Sequence, residues 1–218
     1  MALRTNDLKQ SIVIPSGRRR LSGFLEVPAI ANGVVAFAHG SGSGRFSPRN
    51  QFVAGALNQA GLGTLLLDLL EEDEAEDREK VFDIELLAER LESAGDWIAR
   101  QPATRNLRLG YFGASTGAGA ALVAAARRQN SVHAVVSRGG RPDLAEDDLT
   151  AVEAPTLLIV GGNDDVVIQL NQQAYDRLQC VKDFVIVPGA THLFVEPGAL
   201  EQVAELAQQW FIRYLSRK

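Results

Sequence analysis

The sequence predicts an α/β fold in which helices cover both faces of a mostly parallel sheet of about eight strands. Short apolar runs bounded by turn residues alternate with segments of helical spacing from residue 33 onward. This alternation is typical of parallel sheets, because neighbouring parallel strands need a crossover connection. The length of 218 residues fits one domain, residues 1–218, with a substantial buried core.

The strands are expected where apolar residues run continuously instead of alternating with polar ones, a pattern typical of strands buried on both faces. Six runs show it: Gly33 to Gly40, Leu62 to Leu69, Leu107 to Gly113, Val132 to Ser137, Thr156 to Gly162 and Lys182 to Gly189. Ahead of them, two segments joined by a short turn at Gly17 predict an antiparallel hairpin on the sheet edge. These segments are Gln10 to Pro15 and Arg19 to Val27.

Two helices are predicted by apolar residues that recur on one helical face. In the first helix these residues are Ile84, Leu87, Leu91, Ala94 and Ile98. In the last segment they are Val203, Ala207, Trp210 and Tyr214. The acidic run from Glu71 to Lys80 is interpreted as a solvated excursion between a strand and the first of these helices, with a partner-binding surface as the alternative.

Composition excludes several classes of partner. The chain has 22 basic and 27 acidic residues and a net charge of −5, so it lacks the basic surface that binds nucleic acid or anionic membranes. Cys180 is the only cysteine, which predicts neither an intrachain disulfide nor a cysteine metal cluster. We expect no metal and no cofactor. The first ten residues lack the apolar core of a signal peptide, which favours a cytoplasmic protein.

A candidate nucleophile follows the strand that starts at Leu107. Residues 113–117 read Gly-Ala-Ser-Thr-Gly, the Gly-x-Ser-x-Gly pattern of a nucleophile elbow between a strand and a helix. Glycines on either side of Ser115 allow the tight turn, because side chains at those positions would collide with the neighbouring strand or helix. In a parallel sheet this turn lies at the carboxyl ends of the strands, where ligand sites form.

Ser115 needs a base, and the chain has three histidines from which to supply it. His133 begins a strand and is therefore expected at the opposite edge of the sheet. His39 ends a strand and leads into a glycine-rich loop. His192 lies on the loop between the last strand and the final helix, and its position selects it as the base.

The histidine needs an acceptor on its other ring nitrogen. Asp164 and Asp165 both follow the strand that starts at Thr156. Neighbouring side chains point in different directions, so only one of them is expected to serve. The other is expected to cap a helix or to lie on the surface. Either choice gives the chain order Ser, Asp, His.

Two backbone N–H groups are candidates for an oxyanion hole. The N–H of Thr116 lies at the start of the helix after Ser115, and the N–H of Ser41 lies on the loop His-Gly-Ser-Gly-Ser-Gly, residues 39–44. A glycine-rich loop can also bind phosphate. This one, however, lacks the Gly-Lys-Ser/Thr ending of a P-loop and the spacing of a dinucleotide site.

These motifs resemble a known family. The sequences HGSGSG, GASTG, GGNDDVV and GATHLF, in this order and over nearly the whole chain, resemble the dienelactone hydrolase-like branch of the α/β-hydrolases. The resemblance implies that they act as oxyanion loop, nucleophile, acid and base in turn. The family pattern Gly-x-x-Asp-x-x-Val selects Asp164, with Val167 closing it, over Asp165. The resemblance also implies a single domain without a large cap domain.

One departure from the family concerns the nucleophile. Dienelactone hydrolases proper use a cysteine, whereas this chain has Ser115 there and carries Cys180 elsewhere. The departure argues against dienelactone itself as the substrate. The chain looks more like bacterial serine hydrolases of the same branch, some of which are joined to phosphoribosyltransferase-like domains.

Together these residues predict hydrolysis of a small or medium carboxylic ester, a small molecule, through an acyl-enzyme. Two alternatives remain open: an acyltransferase on the same triad, and an interaction protein that keeps the fold without activity. Arg45, Arg138 and Arg141 are expected at the active edge. There they would bind a carboxylate or phosphate of the substrate, or else pair with the acidic run or face water.

Overall fold

The computed structural model describes residues 7–216. Its strands are β1 Leu8–Ser16, β2 Arg19–Val27, β3 Gly33–Ala38, β4 Gly63–Leu67, β5 Arg108–Ala114, β6 Val132–Arg138, β7 Thr156–Gly161 and β8 Lys182–Val187. They form one sheet in the order β1-β2-β4-β3-β5-β6-β7-β8. The hairpin β1–β2 joins β4 antiparallel, and the pairs from β4 through to β8 are parallel. The predicted eight-stranded, mostly parallel sheet with an antiparallel hairpin at its edge is confirmed.

Helices cover both faces of the sheet, as predicted. They are α1 Pro48–Gln59, α2 Glu72–Ala75, α3 Arg78–Val81, α4 Ile84–Arg100, α5 Thr116–Arg127, α6 Asp165–Arg177 and α7 Ala199–Leu215, with a 3₁₀ stretch at Pro142–Ala151. Apolar residues of α1 and α7 pack into one core, and those of α4, α5 and α6 pack into a second core on the other face. Within residues 7–216, no helix combines the length and the apolar character needed to cross a membrane.

The edge strand β8 departs from the prediction of strands buried on both faces. Strands β3, β4 and β7 are buried along their whole length, whereas β8 exposes Asp183 and Ile186. The physical reason is position: β8 is the last strand of the sheet, where helices cover less of its faces. The apolar residues of β8 therefore predict more burial than the strand has in the structure.

The acidic run also departs from its interpretation as a solvated excursion. It folds into the short helices α2 and α3, and Glu74 is only 3% exposed. Its carboxylate pairs with Arg90 of α4 at 3.2 Å, while Glu71 pairs with Arg19 of the hairpin at 2.7 Å. A buried carboxylate needs such a partner. The run thus connects the hairpin to α4, and the solvated interpretation is wrong for Glu74.

The strand order places a crevice at the centre of the sheet. From β3 the chain moves to β4 on one side, and from β5 it proceeds to β8 on the other side. Ligands in open α/β sheets bind where the order reverses, outside the carboxyl ends of the strands. Here that point lies between the loop after β3 and the turn after β5.

Candidate active site

Ser115 occupies the turn between β5 and α5. Its backbone has φ 51° and ψ −125°, a conformation that non-glycine residues rarely adopt and that is often found at functional sites. The side chain is half-buried. The strained turn therefore holds the hydroxyl at the switch point of the sheet, where a ligand can reach it.

The glycines around Ser115 are required by close backbone contacts. A Cβ atom on Gly113 would lie 2.4 Å from Cα of Ala118, inside the first turn of α5. A Cβ atom on Gly117 would lie 2.2 Å from the carbonyl oxygen of Ala38 at the end of β3. Both distances are far below van der Waals contact. The turn can therefore form only when these positions lack side chains.

We expect Gly117→Ala to lower the free energy of unfolding by about 3 kcal/mol, because the new methyl group must displace backbone. Denaturant titration followed by circular dichroism measures the change. Gly55→Ala is the matched control: Gly55 lies inside α1, with no atom within 4 Å of an added Cβ. Alanine there should stabilise the helix by about 0.5–1 kcal/mol. Equal stability of the two variants would contradict the packing argument.

His192 and Asp164 are joined by a hydrogen bond. Nδ1 of His192 lies 2.7 Å from Oδ2 of Asp164, and the two side chains are 39% and 17% exposed. Asp164 lies between β7 and α6, and its side chain does not cap α6. The neighbouring Asp165 is the exposed first residue of that helix. Of the two aspartates, Asp164 is thus the one whose carboxylate is bonded to the imidazole.

Ser115 and His192 both lie next to the carboxyl end of β6, where Arg138 is the last strand residue and Gly139 follows it. The backbone N–H of Ser115 donates to the carbonyl of Arg138 at 3.4 Å, and a Cβ atom on Gly139 would lie 3.7 Å from Cε1 of His192. Between residues 7 and 216, no hydrogen bond joins the Ser115 hydroxyl to the imidazole. In free enzymes such bonds are often long and shorten only when the substrate binds.

The other two histidines are engaged elsewhere. His39 is buried, with Nδ1 3.0 Å from the carbonyl of Gly40 and Nε2 accepting from the N–H of Leu69 at 2.9 Å. These partners assign the neutral tautomer protonated on Nδ1, and burial lowers the pKa of His39. His133 lies at the amino end of β6, with Nδ1 3.1 Å from the carbonyl of Ser131. His39 therefore ties β3 to the loop after β4, and neither ring faces Ser115.

The two candidate oxyanion donors lie beside each other. The N–H of Ser41 donates to Oγ1 of Thr116 at 3.2 Å, and Thr116 is the first residue of α5, where its own N–H has no intrahelical acceptor. The N–H of Ser41 was expected to be free. It instead has a hydroxyl acceptor, which a substrate oxyanion would have to displace.

Comparisons with known proteins decide the family. A model of the PET hydrolase-like family matches residues 98–218. The crystal structure of a dienelactone hydrolase from Anabaena variabilis has a TM-score of 0.93 and 55% sequence identity, over 97% of this chain and 100% of that one. The chain belongs to the dienelactone hydrolase-like branch of the α/β-hydrolases.

Two further relatives of this α/β-hydrolase were found, one similar in sequence and the other similar in fold. A putative phosphoribosyl transferase of Mycobacterium tuberculosis is 57% identical over 206 residues, which cover 94% of this chain. The chain spans only 46% of that relative's length. Est1E of Butyrivibrio proteoclasticus has a TM-score of 0.81 over 93% of this chain and 98% of its own. At 15% identity, this likeness shows the fold alone.

Two of the three arginines predicted for the rim of this α/β-hydrolase are paired within the protein. Arg45 forms an ion pair with Asp68, and Arg141 forms one with Asp143 at 2.7 Å. Both guanidinium groups therefore already have an anionic partner outside the acidic run, which argues against a substrate role for them. Arg138 differs from both because it is buried and has no such ion pair in the described part of the chain.

Sequence reasoning missed Arg49. It directly precedes Asn50 in α1, and Oδ1 of Asn50 accepts a long hydrogen bond of 3.5 Å from Nη2 of Arg138. A signal for its position was present. Ser47 and Pro48 form a typical helix start, with Ser47 as the N-cap of α1 and Pro48 as its first residue. The start of a helix directly after the loop that follows β3 puts Arg49 at the active edge of the sheet.

A cavity of about 280 Å³ in this α/β-hydrolase opens beside the candidate oxyanion donors. Ser41 and Thr116 lie at its polar end. Its apolar wall is formed by Leu70, Ala75, Val81 and Leu87. A larger and more open groove of about 870 Å³ runs past Asp68 and the carboxylates of the acidic run. Of these two cavities, the smaller one is lined by both Ser41 and Thr116, and the larger one by neither.

Proposed function

We propose that the chain is a serine hydrolase that cleaves small or medium carboxylic esters. The observation that carries the proposal is the 2.7 Å bond between His192 and Asp164, at the same strand edge as the strained turn of Ser115. Nucleophile, base and orienting carboxylate come from loops after β5, β8 and β7. This arrangement matches the roles of a Ser-His-Asp triad, which is recognised by geometry and not by sequence position.

In the first step, Oγ of Ser115 attacks the ester carbonyl carbon while Nε2 of His192 takes the hydroxyl proton. Asp164 accepts a hydrogen bond from Nδ1 and stabilises the imidazolium that forms. The carbonyl oxygen becomes an oxyanion that accepts from the N–H groups of Thr116 and Ser41. The C–O bond to the alcohol then breaks, and the alcohol leaves with the proton from His192.

In the second step, water hydrolyses the acyl-enzyme along the same path. His192 takes a proton from water, the hydroxide attacks the acyl carbon, and the proton returns to Oγ of Ser115 as the acid leaves. This chemistry needs neither metal nor cofactor. It is complete with a small-molecule ester and water, which is compatible with the predicted cytoplasmic setting.

The cavity beside Thr116 supports an apolar acyl group of limited size. Its volume of about 280 Å³ is at the lower end of small-molecule pockets, and Val81 and Leu87 are among the residues that line it. Apolar walls with few polar groups favour a hydrocarbon substituent. We therefore place the acyl chain of the ester in this cavity.

Labelling with a fluorophosphonate probe tests the proposal. The wild-type chain should be labelled on Ser115, as located by peptide mass spectrometry, because only an activated serine reacts rapidly with this probe. Ser115→Ala should remain unlabelled, and Ser11→Ala, the same change at an exposed position of the edge strand β1, should label like the wild type. An unlabelled wild type, or a label on another serine, would refute the assignment. A panel of p-nitrophenyl esters of increasing chain length then measures the acyl preference.

A further inference from the structure

Arg138 is a buried cation that has no carboxylate partner among residues 7–216. The residue ends β6 and is only 6% exposed. Its Nε is buried with no acceptor, and its Nη2 donates one long hydrogen bond of 3.5 Å to Oδ1 of Asn50. Buried charges are ordinarily paired, because the desolvation of an unpaired ion is costly. The arrangement leaves most of the guanidinium's hydrogen-bonding capacity unused.

A second cation, Arg49, directly precedes the Asn50 that accepts this hydrogen bond. Arg49, in the first turn of α1, also has a buried Nε with no acceptor. Burial, together with the positive charge of Arg49, lowers the pKa of Arg138 to about 10. The first turn of α1 contains no acidic residue, so the positive end of the helix dipole adds to the same field. Two arginines and a helix start therefore lie close together, and in the part of the chain that the structure describes neither guanidinium forms an ion pair.

This region adjoins the proposed active site. The carbonyl of Arg138 accepts from the N–H of Ser115 at 3.4 Å. The guanidinium carbon of Arg138 lies 5.8 Å from the ring centroid of Phe194, two residues after His192. The cationic region thus lies on the α1 side of the sheet, between the serine turn and the histidine loop. The apolar cavity lies on the α4 side, beside Thr116.

We propose that Arg138 and Arg49 bind an oxyanion group, a carboxylate or a phosphate, carried by the ester substrate. The planar guanidinium presents paired N–H donors that match the oxygens of either group. The inference rests on the proposed function and extends it: the substrate has an apolar acyl arm toward α4 and an anionic arm toward α1. Such a substrate is an ester of a hydroxy acid or of a phosphorylated alcohol, in which the alcohol part carries the anion.

Anion binding is tested without any turnover. Isothermal titration with inorganic phosphate and, separately, with succinate should show one site on the wild type, and the tighter ligand identifies the anion. Arg49→Gln should weaken binding about ten- to hundred-fold, the loss expected for a charge-assisted bidentate contact. Arg100→Gln removes the same charge from the exposed end of α4 and should bind as the wild type does. Equal binding by both variants would overturn the site.

Arg138 is tested by stability as well as by binding, because a buried variant can fail to fold. Replacing an unpaired buried charge by an apolar side chain of similar length should not destabilise the protein. Arg138→Met is therefore expected to unfold at or above the wild-type temperature without ligand, and to lose the rise in unfolding temperature that phosphate or succinate gives the wild type. A ligand-induced rise that persists in Arg138→Met would contradict the inference.

Kinetics separate a substrate site from an adventitious anion site. The ratio of kcat/KM for 4-butanoyloxybenzoate, which carries a carboxylate on its alcohol part, to that for its neutral methyl ester should favour the anion in the wild type. It should fall about ten-fold or more in Arg49→Gln and remain unchanged in Arg100→Gln. Binding that depends on Arg49 without a change in this ratio would overturn the substrate role. Hydrolysis of neither ester, with Arg49-dependent binding intact, would refute the proposed function and leave the anion site standing.

Discussion

Ser115→Ala, His192→Ala and the double variant are each expected to lose about 10⁶-fold in kcat on a p-nitrophenyl ester. The reason is cooperation: without the imidazole the hydroxyl stays protonated, and without the hydroxyl the imidazole has no proton to take. The double variant should therefore be no slower than either single variant. Residual catalysis should persist in all three variants, because the backbone donors at Thr116 and Ser41 still stabilise the oxyanion.

Two controls separate loss of chemistry from loss of fold. Ser11→Ala removes a hydroxyl from an exposed position of the edge strand β1, and His133→Ala removes an imidazole from the amino end of β6, so both should keep near wild-type kcat. Denaturant midpoints of the two active-site variants should match the wild type, since neither side chain belongs to the cores. The triad would be ruled out if the losses in kcat of the two single variants multiplied in the double variant. It would also be ruled out if either single variant kept full activity.

The fold was predictable from the chain because the strands are local and continuous. The apolar run that begins at Gly33 is β3, and the run at Thr156 is β7, each within two residues of its predicted end. The glycine pattern around Ser115 was informative for the same reason: it encodes a backbone clash that any strand–turn–helix elbow must avoid. Where burial depends on position in the sheet, as in β8, the same local pattern was misleading.

The features that sequence reasoning missed all depend on distant residues. Glu74 is buried because Arg90 and the hairpin residue Arg19 reach it, and no local pattern in the acidic run shows these partners. Arg138 was predicted at the active edge, but its contact with Asn50 depends on where α1 packs, which the local sequence does not show. Electrostatic contacts between distant elements therefore could not be predicted from the sequence and became visible only in the structure.

The two adjacent aspartates offer the sharpest test of the geometry. Asp164→Asn is expected to lower kcat about 10⁴-fold, because an amide can hold the imidazole in the wrong tautomer, with Nδ1 as the acceptor. Asp165→Asn makes the same chemical change one residue later, on an exposed side chain at the start of α6. It should leave kcat within about two-fold and lower stability by less than about 1 kcal/mol through the helix dipole.

Steady-state kinetics of the two variants on one p-nitrophenyl ester, with unfolding midpoints as a check on folding, measure this difference. Nearly identical midpoints are expected, because neither carboxylate pairs with an arginine or lysine within residues 7–216. The large kinetic gap between two isosteric changes at neighbouring positions then has one source, the bond from Asp164 to His192. If Asp165→Asn were the slow variant instead, the orienting carboxylate would be misassigned and the histidine loop would have to rearrange during catalysis.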